Sequence, residues 1–455
     1  MRISRAILIV SAFLAAGCSM SNKNFIDYDN DVIIMSYDRS IYPVAKEDGT
    51  YAEGAWDNFD YVQEFHIIST KTGQEMSELT FRNLTPFIDG VSVATGENGK
   101  KTYIGKDGKR LIDEEFQKAT VFSEGLAWVL DDKNEVWAID KDGRRQFKVE
   151  DIGDISVYYD GKAVSHTPKG ATKVYDKAGN VVFEHKDFGG DYVVDGLISM
   201  STEDGNVGIM DMSGKYIIKP LYYTICGYIN DVNEYICQMR SDRFVVSGDK
   251  GCGVVDRQGR IVIRPEYEYI NEDGDLFLVN YYKQLTDTTY DTKAFWLDRS
   301  GNQAVGREYM DARPFNGNSC APVSDKTGEW GLVDKNGKWV VDPVLNYSYM
   351  GSVDANGLIV VSDTTFKVGL VNTSNGVILP IKYEGLINIS GTDRYIAMFN
   401  GKIGIVDSKG TVILEPEYDS YIMSSAYVDE SPSTTLYTGF DGGEDYEPYD
   451  DASYQ

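Results

Sequence analysis

Three histidines, four cysteines beyond residue 18 and one run of alternating acids are the residues here whose types could do chemistry. His66, His166 and His185 lie too far apart for a familiar metal or triad motif. Ser165 beside His166 would make a nucleophile and base only if both side chains shared a face, and neighbours on a strand point to opposite faces. Cys226, Cys237, Cys252 and Cys320 show no zinc spacing. Cys226 and Cys237 fall in one repeat, where they could meet across strands in an oxidising compartment; buried small hydrophobes are the alternative. Asp27, Asp29 and Asp31 alternate as in a calcium loop, but Val32 stands where an EF-hand needs glycine. A solvated acidic tether is the expectation. No glycine-rich phosphate loop feeds a helix. These residues predict no enzyme, no cofactor and no metal site.

Cys18 is different. Arg2 and Arg5 precede an apolar run from Ala6 to Ala16, too short to span a membrane. The ending Leu14-Ala15-Ala16-Gly17-Cys18 resembles a bacterial lipobox, which implies cleavage before Cys18 and acylation of its thiol. Each buried methylene contributes about 0.8 kcal/mol, so two or three chains anchor stably where one does not. Ser19 after the cysteine favours, by analogy, the outer membrane; the leaflet is open. An ordinary cleaved leader is the alternative. The expected divisions are 1–17 leader, 18–30 acidic or polar tether, 31–430 repeats, and 431–455 a last strand and acidic disordered tail.

The elements between these residues follow a beat of glycines: Gly73, Gly108, Gly143, Gly179, Gly214, Gly259, Gly301, Gly337, Gly376 and Gly410. An aspartate usually stands three residues earlier (Asp140, Asp176, Asp211, Asp256, Asp298, Asp334, Asp407), with Asn372 one place out of register. Asp-x-x-Gly between short runs rich in Val, Ile, Tyr and Trp predicts a hairpin. The acid accepts turn amides, and glycine supplies the positive φ. The run after each glycine does not alternate, which predicts strands covered on both faces. Pro220, Pro265, Pro343 and Pro416 then mark strand ends. A further strand follows, as at Gly357-Leu358-Ile359-Val360-Val361.

These residues resemble the bacterial WG-repeat family, best in Trp330-Gly331-Leu332-Val333-Asp334-Lys335-Asn336-Gly337. Gly208, Gly253, Gly369 and Gly404 keep the first glycine without the tryptophan. The resemblance covers roughly residues 31 to 430. It implies an all-β repeat protein with an interaction role and no catalytic residues. The fold expected is all-β: tandem three- to four-stranded antiparallel meanders, as a propeller-like or an open superhelical array. Ten units exceed the roughly 4–8 blades of most propellers, and the 35-residue units favour an open array.

Two long steps, after Gly214 and Gly259, predict insertions around Arg240–Lys250 and Tyr281–Thr292, expected to be loops. Tyr281, Tyr282 and Tyr290 in the second are the candidate binding residues. The formal charge is −27, and losing Arg2 and Arg5 takes it to −29. Such a chain repels nucleic acid. The function expected is a lipid-anchored envelope protein that binds another protein through its repeat surface; a carbohydrate-binding lipoprotein is the alternative.

Overall fold

The computed structural model describes residues 28–41, 60–79, 81, 83–226, 239–286, 289–422 and 435–437. They form ten small antiparallel sheets, the blades of a propeller-like ring. Blade 8 shows the plan: Asp311–Ala312, Cys320–Ser324, Trp330–Asp334 and Trp339–Leu345, each paired with the next. The second and third strands are covered on both faces, as their unbroken apolar runs require.

The fourth strand differs from expectation. In Trp339–Leu345 burial alternates residue by residue, so one face is wet. The prolines do not end these strands; Pro220, Pro265, Pro343 and Pro416 lie inside them. An outermost strand has no partner for the missing N–H, so proline there caps the edge against further pairing. The first strand lies at the opposite, central edge of its sheet in every blade but the fourth.

Each proline sits over a glycine of the third strand. A β-carbon at Gly331 would stand 2.7 Å from the Val341 carbonyl oxygen and 2.9 Å from the Pro343 nitrogen. Gly208, Gly253, Gly369 and Gly404 meet the same backbone in their own blades. Ladder register shifts at these points. The first glycine of the repeat therefore admits a bulged outer strand.

The ten-unit array closes. Blade 1 joins strands 32–41, 60–69 and 75–79 to the strand Ser420–Ile422 from the far end of the chain, with Ile34 opposite Ile422. The open array favoured by unit length is thus corrected. A single ring holds the ten units, with turns of one blade packed on the next. Of the expected acidic tether, residues 18–27 lie outside the described residues and 28–30 lie within them. Tyr28 bridges Ile88, and the Asp29 carboxylate accepts the Gly90 amide at 2.6 Å, so these residues are docked.

Nine of the ten recurring glycines have φ between 68° and 87°; at the tenth, Asn375 takes the left-handed place with φ 60°. The preceding acids act as read from the sequence: the Asp334 carboxylate accepts the amides of Asn336 and Lys338, both at 2.9 Å. Those amides, Lys338 first, hold its carboxyl below the usual range. The same turns also pack blade on blade. A β-carbon at Gly301 would stand 3.1 Å from the Val262 carbonyl of the blade before, and at Gly410 3.1 Å from that of Ile378.

Candidate functional site

The up-and-down path gives the ring two unlike faces. Turns joining strands one to two and three to four open on one face. Turns joining two to three, and the connectors between blades, open on the other. The turns of the ten recurring glycines all lie on the first.

That first face is a set of clasps between blades. The residue after the turn's acid is often basic, and it reaches the previous blade. Lys106 pairs with Asp31 at 2.6 Å and Asp29 at 3.3 Å. Lys141 pairs with Asp89. Lys177 donates to the Glu124 carbonyl at 2.6 Å, and Arg257 lies 3.7 Å from Asp195. Arg299 bonds both Asp242 and Glu272. The signal was in the sequence as a Lys or Arg at a fixed place in the frame, and the acid and glycine alone do not disclose it.

The second face carries the exposed aromatics. Phe188, Tyr223, Tyr269 and Phe366 are the exposed aromatic side chains among the described residues, and all stand at this end of their blades. Phe366 is 66% exposed with φ 62°. Other blades place Gly99, Asn134, Gly170, Gly205 or Gly328 at the equivalent turn, all with positive φ. A left-handed non-glycine residue costs about 1–2 kcal/mol, and strain of this kind concentrates at functional positions.

Two hairpins are longer than the rest, and both extend on this second face. In blade 7, Leu276–Thr286 pairs with Thr289–Asp298. The predicted loop at Tyr281–Thr292 is therefore a β-ladder continued past its neighbours, a correction that follows from its β-branched and aromatic residues. Tyr281 is half-buried and in register with Lys293; Tyr282 is in register with Thr292, and Tyr290 with Gln284. Blade 1 has the second long hairpin, Val32–Ile41 with Asp60–Ser69, which no glycine spacing announced. The other predicted insertion is misplaced. Arg243–Gly248 is a regular second strand of blade 6, and the extra length falls among residues 227–238, outside the described residues.

Among the described residues the three histidines do not converge on one site. Ser165 and His166 do not meet: the imidazole engages Asp154 through Nδ1 at 2.7 Å and the Gly189 carbonyl through Nε2 at 2.9 Å. Burial alone would lower the His166 pKa; Asp154, with Asp191 and that carbonyl, outweighs it and holds the value above normal. His66 lies 3.1 Å from Glu75, and His185 Nδ1 accepts the Asp187 amide. Cys226, Cys252 and Cys320 are free thiols; Cys18 and Cys237 lie outside the described residues.

The family model described as WG containing repeat matches residues 102–134, 253–280, 330–363 and 403–424. The chain carries WG repeats. The match at 330–363 begins at the third strand of blade 8 and ends after the second strand of blade 9. Each sequence repeat thus spans two blades and staples them. No curated protein matches the chain. Among solved structures, the crystal structure of BamB from Moraxella catarrhalis aligns with 69% of this chain and 90% of its own, at 13% identity and a TM-score of 0.32. A likeness at that level does not bear on function.

Proposed function

We propose that this chain is a lipid-anchored protein of the bacterial cell envelope, on the outer membrane, whose aromatic face binds another protein. The observation that carries the reading is Phe366, an exposed apolar ring in a strained turn where sister blades use glycine or asparagine. Interface hot spots are enriched in large aromatic side chains. The long hairpins of blades 1 and 7 extend the same face and supply specific contacts beyond the repeat. The opposite face commits several of its cations to blade-to-blade contacts, as with Lys106, Lys141 and Arg257.

Site-specific photocrosslinking in intact cells tests this. A crosslinker at position 366 captures a defined protein, and one at Lys335 on the other face does not. Equal capture from both positions sinks the assignment of the face. The anchor has its own test: Cys18→Ala should leave the membrane fraction for the soluble one, and retention with membranes argues against acylation.

Carbohydrate binding is the second reading, favoured by exposed rings on one face. Glycan-array binding that is lost in Phe366→Ala, with no protein captured, would replace the first.

A further inference from the structure

One blade departs from the common plan. Blade 4 has a fifth strand, Thr435–Tyr437, added to the central edge of its first strand, Asp154–Ser156. The pairing is antiparallel, with Leu436 opposite Ile155, Tyr437 opposite Asp154 and Thr435 opposite Ser156. The chain has already closed its ring at Ser420–Ile422 in blade 1. It then returns to an edge that is not its neighbour. The ring closes at another strand, so this one does something else.

It fills a site. Leu436 is 1% exposed, in a cluster with Trp128, Leu130, Ile155 and Tyr158. Trp128 and Tyr158 stack with ring centroids 5.4 Å apart, and Trp128 Nε1 donates to the Ser156 carbonyl at 2.9 Å. The rings and the edge strand are thus fixed by each other. Without that strand, blade 4 would present a strand edge beside the apolar side chains that Leu436 covers, and recognition by strand addition needs both. In the other blades the first strand ends its sheet among the described residues.

The described part of the occupant is Thr435–Tyr437, with Leu436 buried. It belongs to the same chain as the edge it covers, and such tethering gives an effective concentration on the order of millimolar. We propose that the central edge of blade 4 is a strand-acceptor site for an extended segment of a partner protein, one with a leucine-like residue flanked by strand-forming residues, and that Thr435–Tyr437 is a built-in competitor for it. The site rests on the ring being a protein-binding scaffold, and it lies apart from the aromatic face.

The test uses the full chain and a labelled peptide of residues 431–439, Ser-Pro-Ser-Thr-Thr-Leu-Tyr-Thr-Gly. The Leu436→Asp chain should bind it at least ~10-fold tighter than the wild-type chain, because the tethered competitor is gone. The same peptide with aspartate for leucine should not bind. A Leu436→Asp chain that melts cooperatively and binds no better than wild type overturns the proposal. Hydrogen exchange on the wild-type chain provides a second measurement. Millimolar peptide should raise exchange at the Leu436 amide, and unchanged protection overturns the proposal. A concentration-dependent dimer with exchanged tails overturns it in favour of a second copy as occupant. Crosslinking at Phe366 is independent, so loss of one result leaves the other readable.

Discussion

Gly73 in blade 1 packs against the Ile413 carbonyl in blade 10, where no β-carbon would fit. It is the contact that Gly301 makes with Val262 and Gly410 with Ile378. The seam of the ring is therefore built like its other joints. Arg394 adds a hydrogen bond across it, from Nε to the Thr70 carbonyl at 3.3 Å.

Two alanine substitutions separate the parts of that joint. Gly214 has φ 84° and nothing within 4 Å of where an added methyl would stand, so Gly214→Ala should cost only the left-handed conformation, about 1–2 kcal/mol. Gly73→Ala adds a clash with backbone and should cost about 1–3 kcal/mol more. Urea unfolding of both variants checks this. Equal losses would mean that the seam yields without strain.

The basic clasps should be unequal. Lys141 and Asp89 are largely exposed, so Lys141→Met should change stability by about 0–1 kcal/mol and less at high salt. Arg299 is 24% exposed and serves two acids, with Glu272 only 19% exposed. Arg299→Met leaves that acid without this cation and should cost about 1.5–3 kcal/mol. A double-mutant cycle with Glu272→Gln should recover much of the loss. Additive losses would show that the pair is not coupled.

His166 gives a pH dependence with a definite sign. Its folded pKa is raised, so its stabilisation is full below the ordinary histidine value and is lost as pH rises through the folded one. Stability should therefore fall from about pH 6 upward. His166→Gln should flatten that limb, as read by chemical unfolding across the range. A slope that persists in the variant would assign it to another group.

Phe366 should trade stability for binding. Asparagine tolerates the left-handed region, so Phe366→Asn should stabilise the fold by about 1 kcal/mol while it weakens partner capture. Thermal unfolding and crosslinking yield on the same variant decide it. A loss of stability would show that the ring packs rather than waits for a partner.

The repeating unit is written in local residues. Asp334 and Gly337 specify their hairpin through local hydrogen bonding and a positive φ, and the beat counts ten units without knowledge of their arrangement. The short apolar flanks of that turn likewise announce strands, but not which of them is covered on both faces. Local patterns cannot carry the rest, because it depends on residues far apart in the chain. Ile34 opposite Ile422 closes the ring, and nothing near either residue says so. The alternation of Trp339–Leu345 becomes a wet perimeter only once a neighbour covers the other face. Phe366 is one more aromatic in the sequence and becomes conspicuous only through its φ and exposure. Leu436 is an ordinary leucine near the end of the chain until blade 4 buries it. The spacing of glycines set the blades, and the tertiary structure decided which face is free, because exposure is a property of the assembled ring.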